Sequence, residues 1–211
     1  MSVSTLLDVP PDPRACLVLA HGAGAGMRHA FLANVASELR ALGIATLRYN
    51  FPYMDRGSKR TDPPAVCHEA VRAAVAEAQR LVPNVPLFAG GKSFGGGMTS
   101  QTQALTPLPG VRGLVFFGFP LHPPKKPSDT RAEHLFNVTI PMLFLQGTRD
   151  EFADLTLLEP LFRKLGARAT LRLFEHADHS FHVPARSGRT DAQVRGEILQ
   201  TFADWSRRIV D

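Results

Sequence analysis

Long apolar runs are missing from this chain. None approaches the roughly 20 residues that a bilayer-spanning helix needs. The longest early run, Ala15 to Ala20, is too short and wrongly placed for the apolar stretch of a signal peptide. Cysteine is almost absent. Cys16 and Cys67 fall in an expected strand and an expected helix, and two such residues build no disulfide framework. These shortages exclude a membrane partner and predict a cytoplasmic protein. Clustered cations are missing as well. The net charge is +5, but the 24 basic residues are scattered, with no run longer than a pair such as Lys125-Lys126 or Arg207-Arg208. Phosphate backbones are bound by grouped cations or aromatic platforms, so no nucleic acid is expected. Repeats and low-complexity tracts are likewise absent. What remains is an ordinary globular composition, 44% hydrophobic and 20% charged over 211 residues. That length suits one domain, residues 1–211, with one large core.

Apolar strand-like runs alternate with helix-like segments. Ala15 to Ala20 is continuous rather than alternating, as in a strand covered on both faces. Phe31, Val35, Leu39 and Leu42 keep helical spacing and stop at Gly43. Further strands are expected at Ile44 to Phe51, Val85 to Ala89, Gly113 to Phe119, Pro141 to Gln146 and Thr170 to Phe174. Helices are expected from Asp62 to Leu81, from Ser93 to about Ala104, from Leu155 to Leu165 and from Asp191 to Ile209. This rhythm predicts an α/β class with a mostly parallel twisted sheet and helices on both faces. The connection Pro120 to Asn137 is irregular and too short for a lid domain.

Two glycine-rich loops imitate nucleotide motifs and fail on inspection. After the first long strand, Gly22, Gly24 and Gly26 would need a further Gly at position 27, which is Met, and no acid closes the next strand. Gly91-Lys92-Ser93 resembles the end of a phosphate loop, but the Gly required at position 86 is Pro. No nucleotide, metal or other cofactor is therefore expected.

Gly91-Lys92-Ser93-Phe94-Gly95 also matches GxSxG, with a strand expected before it and a helix after it. Small residues tolerate the sharp turn that exposes a serine hydroxyl at a helix N-terminus, where developing negative charge is favoured. A serine nucleophile needs a base, and the base needs a carboxylate to orient it. In such a site both should follow in chain order just past later strands. Asp150 and His179 occupy those places. Asp154 reads as a helix cap or a solvated acid, Asp178 as a loop former, and His176 lies too close to its strand. His182 is the competitor of His179.

An oxyanion hole needs two backbone N–H donors. Phe94, next to the serine, supplies one. The small-residue loop after the first long strand supplies the other, at Ala23 or Gly24, with His21 orienting that loop by hydrogen bonding. Substrate is expected against Gly24, Tyr53, Met54 and His122, the last in a Pro-rich segment that walls the pocket or merely connects elements.

These residues resemble the α/β-hydrolases. The resemblance extends through His21-Gly22-Ala23-Gly24, Asn50-Phe51-Pro52-Tyr53-Met54, Phe119-Pro120-Leu121-His122-Pro123-Pro124, Gln146-Gly147-Thr148-Arg149-Asp150 and Ala177-Asp178-His179-Ser180-Phe181. Together these are similar to the testis-expressed-protein-30-like group, which is related to dienelactone hydrolases and to the hydrolase domain of NSL-complex subunit 3. The resemblance covers about Ala15 to Ile209. It implies an eight-stranded type of sheet, trimmed here at its N-terminal strands, and the triad Ser93, Asp150 and His179. Dienelactone hydrolases use a Cys nucleophile where this chain has Ser93, which argues against dienelactone activity. The expected function is hydrolysis of carboxylic esters or related small acyl substrates, with short chains favoured by a lidless site. A catalytically silent scaffold that binds a partner is the alternative. Homo-oligomerisation, and the choice between ester and amide bonds, stay open.

Overall fold

A computed structural model describes residues 2–210. Its centre is a seven-stranded sheet. The strands are β1 (Thr5–Asp8), β2 (Ala15–Ala20), β3 (Ile44–Tyr49), β4 (Leu87–Lys92), β5 (Val111–Phe117), β6 (Met142–Gly147) and β7 (Ala169–Phe174). Their order is β1-β3-β2-β4-β5-β6-β7, parallel throughout except for β1, which runs antiparallel to β3 at one edge.

The helices are α1 (Ala30–Ala41), α2 (Pro52–Asp55), α3 (Pro64–Leu81), α4 (Phe94–Leu105), α5 (Leu155–Leu165) and α6 (Asp191–Val210). They divide the hydrophobic core into two layers. Cys16, Val18 and Ala20 of β2 pack with α3, α4 and α5, while Ala15, Leu17 and Leu19 pack with α1 and α6. Adjacent residues of a strand point to opposite faces, and here both faces are dry, so every residue of β2 is apolar.

The expected α/β architecture without a lid domain is present. Several details differ from the sequence reading. Strand β1 was not expected; it is a short edge strand whose residues are all only half-buried, which leaves no apolar pattern to detect. Strand β4 begins and ends later than Val85 to Ala89, running through Gly90 and Gly91. The stretch after β3 contains the short helix α2. The irregular connection holds a 3-10 helix at Thr130–Asn137. Among the described residues, no helix is long and apolar enough to cross a membrane.

The parallel strands deliver the β4, β6 and β7 loops to one end of the sheet. Ser93, Asp150 and His179 follow the C-terminal ends of those three strands, where open α/β sheets place their ligand crevices.

Candidate active site

Ser93 stands between β4 and α4 with φ 51° and ψ −117°, a conformation that L-residues rarely adopt. The residues two positions to either side of it must be glycine. A Cβ on Gly91 would lie 2.6 Å from the Ala20 carbonyl oxygen, and one on Gly95 would lie 2.5 Å from the His21 carbonyl oxygen. The turn is therefore pressed against the end of β2, and it holds the serine hydroxyl at the start of α4.

Ser93 Oγ lies 2.8 Å from His179 Nε2, and His179 Nδ1 lies 2.7 Å from Asp150 Oδ2. The hydrogen-bond roles follow from the acid. A carboxylate only accepts, so Nδ1 carries the imidazole proton and Nε2 is left to accept from the serine. Asp150 is held from two further directions. Gln146 Nε2 donates to Oδ2 at 2.5 Å, and the Phe152 backbone N–H donates to Oδ1 at 2.8 Å. Its side chain is fully buried, whereas that of His179 is 18% exposed. The Phe152 ring packs 4.4 Å from the imidazole, centre to centre.

The rivals are accounted for by their partners. Asp154 caps α5, accepting from Thr156 N at 2.8 Å. Asp178 folds its own loop, accepting from the Ser180 and His182 backbone N–H groups. His182 is turned outward and pairs with Asp191 at 2.9 Å, a hydrogen bond that raises its pKa.

The loop after β2 is braced from below. His21 Nε2 accepts from the Phe51 backbone N–H at 3.1 Å, and His21 Nδ1 donates to the Gly22 carbonyl at 2.8 Å. Burial lowers its pKa, consistent with this neutral form. Tyr53 Oη donates to the Ala23 carbonyl at 2.8 Å. Among the described residues, neither the Ala23 nor the Phe94 backbone N–H has a protein acceptor, and both residues line the cavity in front of Ser93.

That cavity has a volume of about 330 Å³. Phe94, Met98, Phe119, Pro120 and Phe152 give it apolar walls, and Gln101, Arg131 and His134 add polar groups. The four residues expected to contact substrate are not among those that line this cavity. Gly24 is exposed with open space around it. Tyr53 is fully buried and Met54 packs at the edge of the core. His122 is turned inward: its Nε2 accepts from the Asp154 N–H and its Nδ1 donates to the Pro123 carbonyl, each at 2.8 Å. It fixes the entry to α5 and does not line the cavity. Phe119 and Pro120, from the same segment, do.

Sequence reasoning missed Lys92. Its Nζ donates to the His179 carbonyl at 2.6 Å and sits 5.7 Å from the centre of the Phe181 ring. The side chain that a phosphate loop would point at its ligand is thus turned under the His179 loop. Burial pushes its pKa down to about 8, against the opposing pull of Asp150 and Asp178.

A pH dependence follows from that shift. Between about 8 and the ordinary 10.5, the unfolded chain holds a proton that the folded chain has lost, so Lys92 makes stability rise with pH. Cys16 acts oppositely above pH 9.0, because burial pushes its thiol up to about 12. Comparison with Lys92→Met isolates the lysine. Urea unfolding should show wild type gaining stability relative to the variant from pH 8 to 10.5. A constant difference across that window would refute the assignment.

No cluster of three or more His, Cys, Asp or Glu side chains among the described residues is arranged to hold a metal ion. Residues 13–207 match the family described as an alpha/beta hydrolase domain, and the chain belongs to that family. Solved structures share the fold at low identity. A protein described as an alpha-beta serine hydrolase homologue from Coxiella burnetii is 18% identical, with a TM-score of 0.75 over 94% of this chain and 91% of that one. A serine hydrolase described as without a lid, from Xanthomonas campestris, is 22% identical, with a TM-score of 0.72 over 96% and 89%. A dienelactone hydrolase from Anabaena variabilis is 19% identical, with a TM-score of 0.76 over 98% and 91%.

Proposed function

We propose that the protein is a serine hydrolase that cleaves carboxylic esters or related small acyl compounds through an acyl-enzyme. The observation that carries this reading is the unbroken hydrogen-bonded chain Ser93–His179–Asp150, opening onto a cavity with apolar walls. Ser93 Oγ attacks the acyl carbon as His179 Nε2 takes its proton. The charged Asp150 stabilises the imidazolium that forms. The Phe94 and Ala23 N–H groups receive the oxyanion, a term worth about 3–4 kcal/mol for each donor. His179 then gives its proton to the leaving oxygen and the alcohol departs. Water, deprotonated by the same histidine, attacks the acyl-enzyme and releases the acid, restoring Ser93.

The motifs around this site favour the testis-expressed-protein-30-like branch, and Ser93 in place of Cys argues against dienelactone chemistry. A cytoplasmic location is in keeping with Cys16 and Cys67, both buried free thiols. The modest cavity suits short acyl chains.

The test is intact-mass measurement after treatment with a fluorophosphonate probe. One adduct on wild type and none on Ser93→Ala is expected. A folded wild-type protein that takes up no adduct would sink this reading and put the partner-binding scaffold in its place.

A further inference from the structure

One wall of the cavity has no part in the acyl-transfer steps. Beyond Phe94, whose N–H serves the oxyanion, helix α4 turns Gly97, Met98 and Gln101 toward it on a single helical face. Opposite, the 3-10 helix Thr130–Asn137 brings Arg131 and His134 to the cavity. Residues three apart eclipse in such a helix, so the two share one side of it. Arg131 is the sole charged side chain among the residues lining the cavity. Among the described residues, none of the ion pairs involves it, and its near neighbours Asp129 and Glu133 do not reach it.

The polar groups beside Arg131 also favour an anion. Gln101 Oε1 is engaged by His68 Nε2 at 3.3 Å, which leaves the amide N–H₂ as the donor available to a bound molecule. His134 lies with Nε2 2.8 Å from Ser100 Oγ, and burial pushes its pKa down to about 4, so it is neutral near pH 7. The wall thus offers one unpaired guanidinium and one amide donor, with no acid among the lining residues. A guanidinium fork matches a carboxylate with two parallel hydrogen bonds. At the edge of an apolar cavity that pairing is less screened than in open water.

On the serine-hydrolase reading above, we propose that the substrate is an anionic ester. It would carry a carboxylate several bonds from the scissile carbonyl, received by Arg131 with Gln101 as second donor. A half-ester of a short dicarboxylic acid has this chemistry on the acyl side; an ester of a hydroxy acid has it on the alcohol side.

Two pairs of esters test this, each compared by kcat/KM with background hydrolysis subtracted. The acyl-side pair is p-nitrophenyl hydrogen glutarate and its neutral methyl ester. The alcohol-side pair is p-acetoxybenzoate and its methyl ester. In one pair the anionic member should be preferred roughly 10- to 100-fold, and that pair locates the carboxylate. Arg131→Gln should reduce the preference at least about tenfold, and Arg131→Lys, which keeps the charge without the fork, should reduce it less. Arg131 is exposed, and coincident thermal melts establish that the variants are folded. Equal use of anionic and neutral esters, or a preference indifferent to Arg131→Gln, overturns the inference and leaves ester hydrolysis standing. Folded wild type that turns over none of the four esters overturns the hydrolase reading and this inference together.

Discussion

Asp150→Asn is expected to lower kcat by about 10⁴-fold with little change in KM. The change removes one charge and no volume, yet the surroundings of Asp150 leave no good orientation for an amide. Oδ2 accepts from both His179 Nδ1 and Gln146 Nε2, and Oδ1 accepts from the Phe152 N–H. If the asparagine N–H₂ faces His179, it opposes the Gln146 donor and forces the imidazole proton onto Nε2. Ser93 then has no base. If the N–H₂ faces the other way, it opposes the Phe152 N–H, and the developing imidazolium still lacks its counter-charge. Both arrangements lose most of what the acid provides. KM should hold, because Asp150 does not line the cavity. Steady-state kinetics on any accepted ester, with the rate of fluorophosphonate labelling as a second readout, decides the matter. An Asp150→Asn enzyme within tenfold of wild type would show that His179 is oriented by something other than this carboxylate.

Much of this arrangement could be read from the sequence, and the parts that could not share a cause. Strand β2 was legible because its two faces are both buried, which writes an unbroken apolar run. The order Ser93, Asp150, His179 was legible because each residue follows a strand end, and parallel strands bring their ends together. Strand β4 was misplaced because Gly90 and Gly91 are poor strand formers by local preference. They are strand residues because they pair with β2 and β5, and glycines because those strands come too close for a side chain. Position along the chain says little about where a side chain turns. Tyr53 and His122 sit in segments next to strand ends, yet both turn inward to hold backbone in place. Met98 and Gln101 could have been found by continuing the helical period from Phe94. Arg131 and His134 arrive on an irregular connection whose short 3-10 turn carries no periodic signal, so the polar wall of the cavity emerges only in three dimensions.

The same close approach makes Gly90 the position least tolerant of added bulk in the middle of the sheet. It pairs with Leu19 of β2 on one side and Val115 of β5 on the other. A Cβ at Gly90 would lie 1.8 Å from the Val115 carbonyl oxygen, 2.8 Å from the Val115 carbonyl carbon and 3.0 Å from the Val115 nitrogen. All three are backbone atoms of a central strand, so no rotamer change relieves the clash. The neighbouring strand must move, and Ser93 stands three residues further along. We expect Gly90→Ala to cost about 4 kcal/mol or more, in the exceptional range for a single substitution. In a domain of this size that corresponds to a fall in Tm of roughly 8–16 °C. Gly196→Ala is the matching control. Gly196 lies inside α6, and a Cβ there would meet nothing within 4 Å. Replacing a helical glycine with alanine should therefore raise stability by roughly 0.5–1 kcal/mol. Thermal unfolding of the two variants should thus move in opposite directions from wild type. A Gly90→Ala protein that melts within about 3 °C of wild type would mean that β4 and β5 are spaced more widely than this sheet requires.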